Sequence, residues 1–290
     1  MYVASRVATD LVRSAAILFV LVAALAGCTT SDVMRPTAAS AVMPLTSEKY
    51  ASIVIDASSG RVLYERNSRE PRHPASLTKM MTLYMLFEAI DDGRVSKQSP
   101  IPVSAYAAAR PPTKIGFKRG ESIDVNSAVL ALCVRSANDV AVAVAEALGG
   151  SEERFAEMMT AKARQLGMSA TTFRNASGLH DPGQVTTARD MALLSMALRK
   201  RFPHHYHYFG NRDFTYAGRF IRGHNDLIGR VPGVNGLKTG YIRASGFNLA
   251  TSVDRGGRRF VAVVMGGESA RSRNAHMEEL IEAYVPGGSG

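Results

Sequence analysis

The sequence predicts a single α+β domain in which strand-forming segments at the two ends enclose a helical middle. Runs rich in β-branched and aromatic residues occur near residues 51–65 and again near residues 234–267. Apolar residues at helical spacing fill the region between them. We therefore expect the first and last segments to share one antiparallel sheet of about five strands, flanked by helices. Hydrophobic residues make up 46% of the 290-residue chain, which is ordinary for a globular protein.

The N-terminus resembles a bacterial lipoprotein signal peptide and is not expected to join the fold. Arg6 and Arg13 precede an uncharged run, residues 15–27, that is shorter than the about 20 residues needed to span a bilayer. The run leads into "LAGC", which is similar to a lipobox. Residues 1–27 are thus predicted to be removed and Cys28 to carry lipid. A plain signal peptide is the alternative, and both interpretations place the protein on the periplasmic side of the cell envelope.

The two cysteines, Cys28 and Cys133, give little support to a disulfide framework. If Cys28 carries lipid, Cys133 has no intramolecular partner. Its setting, "VLALCVRS", predicts a buried helical thiol that packs as a small apolar group. A Cys28–Cys133 disulfide is the alternative.

The net charge of +10 suits a partner that is anionic. For an exported protein, such partners are lipid surfaces and acidic cell-wall polymers. A basic surface that serves solubility alone is the alternative. Nucleic acid is not an expected partner, because the basic residues are scattered and no nucleic-acid-binding motif accompanies them.

A polar segment connects the predicted signal peptide to the folded domain. Residues 28–46 combine Thr, Ser and Ala with two prolines, a composition typical of a flexible tether. The folded domain is predicted over residues 47–286. It begins with "YASIVID" and "RVLYE" around "ASSG", which predict a hairpin of Ala51–Asp56 with Arg61–Glu65.

The middle of the domain is predicted to be helical. The first helix lies in "HPASLTKMMTLYMLFEAI" and ends near Gly93. Two apolar helices, "AVLALCVR" and "DVAVAVAEALGG", flank a short break at Ser136, and the second stops at a glycine pair that suits a C-terminal cap. Two amphipathic helices follow over Ser151–Gly167 and Thr186–Lys200, separated by a loop rich in Gly, Pro and Asn.

Three β-rich runs and a helix complete the domain. The predicted strands are "VNGLKTGY", "FNLATSV" and "RFVAVVMGG", and "DRGGR" between the last two is a hairpin signal. "SRNAHMEELIEAY" is predicted to form the terminal helix.

Within the first helix, a serine and a lysine lie on one face. Ser76 and Lys79 stand three residues apart, at the start of a nearly unbroken apolar run. In the first turn the Ser76 N–H lacks an intrahelical acceptor, so an oxyanion there would be stabilised. Full burial lowers a lysine pKa by up to ~3–5 units, and a neutral amine accepts a serine proton. Taken alone, the pair also fits a serine cap and a lysine that reaches solvent.

Two more polar triplets strengthen the chemical interpretation. "SAN" at residues 136–138 lies in the helix break, and "KTG" at residues 238–240 lies in a strand. Polar triplets are unusual in a helix break or a strand interior if packing alone selects the residues, because other residue types are more favourable at these positions. In this order, S-x-x-K, S-x-N and K-T-G match the motif set of penicillin-binding proteins and serine β-lactamases.

The chain resembles the low-molecular-mass penicillin-binding proteins, which are serine-type D-alanyl-D-alanine carboxypeptidases. Family-like stretches, among them "VIDASSGRVLYERNS", "PASLTKMMT", "RSANDVAVAVAE" and "GVNGLKTGY", run from about Tyr50 to Tyr284. The resemblance implies a β-lactamase/transpeptidase-like fold with a helical subdomain. It implies peptidoglycan stem peptides ending in D-Ala-D-Ala as substrates and β-lactams as covalent inhibitors. The family's C-terminal β-rich domain and anchor helix are not expected here, and lipid on Cys28 is expected to replace that anchor.

The resemblance also implies the catalytic roles. Ser76 attacks the D-Ala–D-Ala carbonyl, with Lys79 as its base. Ser136 relays the proton to the leaving nitrogen, and Lys238 tunes Ser136 electrostatically. The backbone N–H groups of Ser76 and Tyr241 form the oxyanion hole. No cofactor and no metal are expected.

Five residues are implied to bind substrate. Asn138 holds the peptide amide and the lysine amine. Lys238 and Thr239, followed by Gly240 in the same triplet, receive the terminal carboxylate. Arg273 in "ESARSRN" falls where the family keeps a supporting arginine, although Arg271 stands two residues away.

Three other functions use the same motifs. A D,D-endopeptidase on peptide cross-links would need the same residues. A catalytically silent penicillin-binding wall lipoprotein is opposed by the three intact triplets. A class A β-lactamase needs a loop glutamate to activate water, and no glutamate lies between Glu157 and Glu268.

Overall fold

The computed structural model describes residues 42–285. The predicted signal peptide, Cys28 and most of the tether lie outside the described residues, so these assignments and the predicted domain bounds stay predictions. Within residues 42–285, no helix is both long and apolar enough to cross a bilayer.

One five-stranded antiparallel sheet organises the domain, in the strand order β2-β1-β9-β8-β7. It confirms the predicted sheet, because the N-terminal hairpin pairs with strands from the other end of the chain. Two small two-stranded sheets, β3–β4 and β5–β6, were not predicted. The strands are β1 (Ala51–Asp56), β2 (Val62–Arg66), β3 (Pro100–Pro102), β4 (Ser122–Asp124), β5 (Asp213–Tyr216), β6 (Arg219–Arg222), β7 (Val234–Ile242), β8 (Gly246–Arg255) and β9 (Arg258–Gly267).

In residues 42–285, seven α-helices surround the sheet and build the helical subdomain. Several begin at the polar caps that the sequence favours: Ser151, Thr187 and Ser269 each accept a backbone N–H three residues ahead. The helices are α1 (Lys79–Asp91), α2 (Ala105–Ala108), α3 (Val125–Leu130), α4 (Asn138–Gly149), α5 (Glu152–Gln165), α6 (Ala188–Arg201) and α7 (Ala270–Tyr284). Short 3₁₀ turns occupy Ala75–Thr78 and Tyr206–Gly210, and Ala131–Arg135 is π-helical.

The sheet is covered on both faces. On β9, Val261, Val263 and Met265 pack into the core shared with α1 and α6, while Ala262 and Val264 pack against α7. Apolar residues are therefore required at consecutive positions, which explains why "FVAVVM" is a continuous apolar run.

The predicted and observed elements differ most where short polar segments fold. The first helix was predicted to include Ser76 in an α-helical turn, but Ala75–Thr78 is a 3₁₀ turn and the α-helix begins at Lys79. The β5–β6 hairpin turns through Ala217 and Gly218, both with positive φ. An alanine at that position hides the turn from sequence inspection, because Asn-Gly is the usual signal.

Candidate active site

Ser76 lies in a strained turn before α1. Ala75, the residue that precedes it, is buried and has a φ of 49°, a conformation that costs a non-glycine residue roughly 1–3 kcal/mol. The loop around Gly178 packs directly on this turn, since a Cβ on Gly178 would lie 1.9 Å from the Ala75 carbonyl oxygen. The turn and the loop together fix the position of Ser76.

Asn248 fastens the segment before Ser76 to the sheet. Its buried side chain donates from Nδ2 to the carbonyl oxygens of His73 (3.0 Å) and Pro74 (3.1 Å), and its Oδ1 accepts from the Gly266 N–H (3.1 Å). Both N–H groups and the oxygen of the amide are used. Sequence inspection missed Asn248, although an asparagine inside the apolar run "FNLATSV" signals a buried amide that needs partners.

Lys79 is fully buried, and its side-chain nitrogen has three oxygen neighbours. Nζ lies 3.2 Å from Ser76 Oγ, 2.7 Å from Asn138 Oδ1 and 2.5 Å from the Ser177 carbonyl oxygen. Asn138 Nδ2 donates to the Pro111 carbonyl oxygen at 2.9 Å, which turns the amide oxygen toward Lys79. Ser177 was not predicted as part of the site, because a backbone carbonyl leaves no side-chain signal.

These contacts match a neutral amine. The Asn138 amide oxygen and the Ser177 carbonyl oxygen only accept hydrogen bonds, so they take the two N–H groups that a neutral amine possesses. Lys79 Nζ and Ser76 Oγ lie 3.2 Å apart, so in the neutral form the remaining lone pair of the amine can accept the hydroxyl proton. The arrangement can move the serine proton to the lysine.

Burial sets the protonation state of Lys79. Desolvation lowers the pKa of Lys79 well below its ordinary value, and the positive charge of Lys238 lowers it further. The carboxylates of Asp139 and Glu152 act in the opposite direction. Both are already bonded elsewhere: Asp139 accepts backbone N–H groups, and Glu152 accepts a backbone N–H and a tyrosine hydroxyl. The neutral form of Lys79 is therefore favoured.

Ser136 occupies the break between the π-helical segment and α4. It has a φ of 60°, which ends the preceding helix and turns the chain. Its hydroxyl oxygen is buried and has no hydrogen-bond partner among the described residues. Thr113 braces the break, donating from Oγ1 to the Ser136 carbonyl oxygen (3.0 Å) and accepting from the Asn138 N–H (2.7 Å). The Ser136 hydroxyl is thus held in place and available to a ligand.

Strand β7 brings the third triplet to the serine. β7 is an edge strand of the five-stranded sheet and packs on the 3₁₀ turn Ala75–Thr78. A Cβ on Gly240 would lie 3.0 Å from the Ser76 nitrogen and 3.2 Å from the Leu77 nitrogen. Glycine at this position lets the backbone of β7 lie directly against the backbone of Ser76.

Lys238 and Arg273 are buried cations without a carboxylate partner. They are 2% and 3% exposed, and within residues 42–285 neither lies within 4.0 Å of an acidic oxygen. Burial lowers the pKa of Lys238 to about 8 and that of Arg273 to about 10. The Arg273 guanidinium donates to the Asn248 carbonyl oxygen and to the Asn274 side chain. Two uncompensated cations favour an anionic ligand.

The exposures of the two candidate arginines separate them. Arg273 is buried and lines the cleft, whereas Arg271 is exposed and lies outside it. Cys133 as a whole residue is half-buried, but it packs against the apolar core, in keeping with the predicted buried helical thiol. Desolvation raises the pKa of its thiol to about 12, so the thiol stays protonated.

A cleft of about 500 Å³ opens in front of these groups. Tyr241, 54% exposed, stands at its mouth and stacks on Phe247 with ring centroids 4.2 Å apart. His224 and Asp226 also line the cleft, and no sequence motif marked either for the site. The predicted site residues on its walls are Ser76, Ser136, Asn138, Thr239, Gly240, Tyr241 and Arg273, with Lys79 and Lys238 buried behind them. Of the predicted site residues, Cys28 alone lies outside the described residues.

Comparison with known proteins identifies close relatives. A family model for D-alanyl-D-alanine carboxypeptidases matches residues 37–269. D-alanyl-D-alanine carboxypeptidase DacF of Bacillus subtilis is 34% identical over 243 residues, or 82% of this chain. The chain spans 62% of the length of that relative.

Solved structures share the fold. D-alanyl-D-alanine carboxypeptidase DacD from Francisella tularensis superposes with a TM-score of 0.79 and 28% identity, covering 84% of this chain and 71% of that one. Penicillin-binding protein D2 from Listeria monocytogenes, in its ampicillin-bound form, has a TM-score of 0.72 and 32% identity, covering 81% of this chain and 97% of that one.

Proposed function

Because the chain belongs to the family of D-alanyl-D-alanine carboxypeptidases, we propose that it is a serine D,D-peptidase. It removes the terminal D-Ala from peptidoglycan stem peptides, and β-lactams acylate the same serine. The observation that carries the proposal is the fully buried Lys79 amine, whose nitrogen lies 3.2 Å from the Ser76 hydroxyl oxygen. The ampicillin-bound relative supports the β-lactam part.

In the acylation step, Ser76 Oγ forms a bond to the carbonyl carbon of the D-Ala–D-Ala peptide. Its proton passes to Lys79 Nζ. The carbonyl oxygen gains negative charge and accepts hydrogen bonds from the N–H groups of Ser76 and Tyr241, an arrangement worth ~10²–10³ in rate per donor in serine peptidases. The close approach of β7 to Ser76 at Gly240 supports this assignment of the two donors.

Collapse of the intermediate breaks the peptide bond and needs a proton on the departing nitrogen. The Ser136 hydroxyl, buried and without a partner, is placed to pass a proton from Lys79 to that nitrogen. The released D-Ala carries a carboxylate. Lys238, Thr239 and Arg273 bind it, because two buried cations and a hydroxyl at the cleft wall match one terminal carboxylate.

Water then attacks the acyl-enzyme and releases the shortened peptide. Among the described residues that line the cleft there is an aspartate, Asp226, but no glutamate. A class A β-lactamase uses a glutamate to activate this water. We therefore expect β-lactams to remain attached to Ser76 far longer than peptide acyl groups do.

Fluorescent penicillin tests the nucleophile. Wild-type protein should take up about one label per chain, and Ser76→Ala should take up none. Ser58→Ala, a change at an exposed turn serine, serves as the matched control and should label like wild type. Labelling of Ser76→Ala at the wild-type level would remove Ser76 from the mechanism, and no labelling of the wild type would favour a silent wall protein.

Two substrates separate exopeptidase from endopeptidase activity. The same residues would cut a cross-link, and the cleft has further lining residues, among them His224 and Asp226. We expect free D-Ala from the pentapeptide and no cleavage of cross-linked muropeptides. Cleavage of the cross-linked substrate at a comparable rate would make the protein an endopeptidase.

We also propose that the chain is exported and that Cys28 carries lipid which holds it at a membrane. The support is the sequence "LAGC" after an apolar run. Membrane fractionation compares wild type with Cys28→Ala, which should shift to the soluble fraction. Unchanged membrane association of Cys28→Ala would reject the lipid anchor.

A further inference from the structure

A histidine pair and a carboxylate meet at the far end of α1. Nε2 of His204 and Nε2 of His205 each lie 2.9 Å from Asp91 Oδ1. The candidate ligand atoms of the three side chains all lie within 4.8 Å of one another. Asp91 is the last residue of α1, and at about 1.5 Å per residue it lies ~18 Å along the helix from Lys79.

The cluster is held in place by buried aromatic packing. The His205 side chain is 3% exposed, and its ring stacks on Phe87 with centroids 4.8 Å apart and planes 18° apart. The His204 ring packs against His205 with centroids 4.1 Å apart and keeps 56% of its side chain exposed. One ligand is therefore fixed in the core and another faces solvent, which provides a path for an ion to enter.

The hydrogen bonding concentrates two donors on one oxygen. With neutral rings, both Nε2–H groups donate to the same Asp91 oxygen. When a metal ion binds, the proton of each neutral ring moves from Nε2 to Nδ1, and the two freed Nε2 lone pairs and the carboxylate bind the ion together. A tetrahedral zinc ion with bonds of ~2.0–2.2 Å keeps its ligand atoms roughly 3.3 Å apart, so small side-chain movements suffice.

We propose that Asp91, His204 and His205 bind a divalent transition metal of the zinc class. Two imidazoles and one carboxylate are typical zinc ligands, and water supplies the fourth position on the exposed side. Calcium and magnesium are poor candidates, because they prefer oxygen ligands. The site is independent of the proposed peptidase activity.

The metal would link two separate parts of the fold. Asp91 ends α1, whereas the histidines lie 113 and 114 residues later, just before the 3₁₀ turn Tyr206–Gly210. Phe209 of that turn packs on Gly236 of β7. The expected effect is thus a stabilised scaffold, with the Ser76 chemistry unchanged. The sequence hid this site, because adjacent histidines lack the spacing of a metal motif.

Zinc titration of the full-length chain tests the proposal. After removal of metal with EDTA, calorimetric titration with ZnCl₂ should detect one saturable site per chain, and the melting temperature should rise with zinc concentration. His204→Ala and Asp91→Asn should each weaken zinc binding by at least ~10-fold, the scale of the loss when support of a metal ligand is removed. Asp91→Asn keeps an oxygen that accepts from both rings, so a merely hydrogen-bonded cluster would tolerate it.

His207→Ala is the matched control, because His207 is an exposed histidine in the same segment whose Nδ1 hydrogen-bonds to the His204 carbonyl oxygen. It should retain zinc binding, and penicillin labelling should be equal in all variants. Absence of a saturable site in the wild type would overturn the proposal. Equal binding by wild type, His204→Ala and Asp91→Asn would overturn it as well, since the zinc would then lie elsewhere.

Discussion

Lys79 combines full burial, which lowers its pKa and favours the neutral amine, with three oxygen neighbours. Two of its oxygen neighbours cannot donate a hydrogen bond, so the amine lone pair is left for Ser76. An ion pair is not needed to keep such a lysine buried, because the neutral amine has little charge to desolvate. The proposed mechanism therefore depends on the ability of Lys79 to lose and accept a proton, and not on a positive charge at Lys79.

Replacement of Lys79 by arginine separates charge from basicity. Arginine stays protonated at all relevant pH values, so Lys79→Arg should lower the penicillin acylation rate by ~10²–10⁴, the usual contribution of a general base. Stopped-flow or gel-based labelling measures the rate constant. Lys162→Arg, at a lysine that pairs with Glu88 on α1, makes the same change away from the site and should acylate normally. Near wild-type acylation by Lys79→Arg would contradict the assigned base.

The pKa of Lys238 predicts an alkaline limit to peptide hydrolysis. Burial lowers that pKa to about 8, and the protonated form is the one that binds a carboxylate. As pH rises through about 8, Lys238 loses its charge, so kcat/KM for the pentapeptide should fall. Measurement of kcat/KM from pH 6.5 to 9.5 checks this expected fall. A kcat/KM that stays constant above pH 8 would exclude Lys238 from carboxylate binding.

At the scale of elements, the site depends on how closely β7 approaches the 3₁₀ turn before α1. The contact is backbone against backbone, with no side chain at Gly240 to separate them. A widened gap would move the Tyr241 N–H away from that of Ser76. The proposed oxyanion hole thus depends on strand packing.

Gly240→Ala tests this dependence. The new Cβ would lie 3.0 Å from the Ser76 nitrogen, so we expect acylation to fall by ~10²-fold, the cost of losing one oxyanion donor, while circular dichroism stays native. Gly210→Ala is the control, since its Cβ meets only the Asn235 carbonyl oxygen at an ordinary 3.6 Å. Equal acylation rates in the two variants would show that the approach of β7 is not critical.

The parts of the site that local sequence specifies were predictable. Ser76 and Lys79 are three residues apart, and SAN and KTG are each three consecutive residues, so pattern and resemblance singled out groups that the fold brings to one cleft. The supporting groups were not predictable. Ser177 acts through its backbone, Asn248 reaches the 3₁₀ turn from 174 residues away, and Ala75 takes its left-handed φ from packing against the Gly178 loop.

For the whole molecule, the fold class followed from the order of strand and helix patterns, and the five-stranded sheet is as predicted. Its strand order required knowledge of pairing over distances that no local pattern encodes. The small sheets escaped prediction for a different reason. β3 contains two prolines in three residues, and proline normally argues against a strand.

Buried His276 predicts a loss of stability in mild acid. It joins α7 to the residue before β1 through a 2.7 Å contact with the Tyr50 hydroxyl, and desolvation lowers its pKa below 6.5 although Glu279 opposes the shift. Below pH 6.5 the unfolded chain binds a proton that the folded chain does not, so the free energy of unfolding falls as pH drops, by at most about 1.4 kcal/mol per pH unit.

Urea unfolding at pH 7.0, 6.0 and 5.0 measures this slope. His276→Gln removes the titrating ring, so its stability should change less with pH than that of wild type. Identical slopes for both proteins would assign the acid sensitivity to other groups.

The pairing of β1 with β9 has a consequence for biosynthesis. Residue 51 is opposite residue 265, and residue 56 is opposite residue 260. Because the chain is synthesised from its N-terminus, β1 and β2 are made long before β9 and cannot join the five-stranded sheet until β9 has been made. Closing so long a loop makes assembly slow compared with local helix formation. β7 contacts the Ser76 turn only within this sheet. Penicillin reactivity should therefore arise late in synthesis, and covalent labelling of stalled nascent chains would time the completion of the fold.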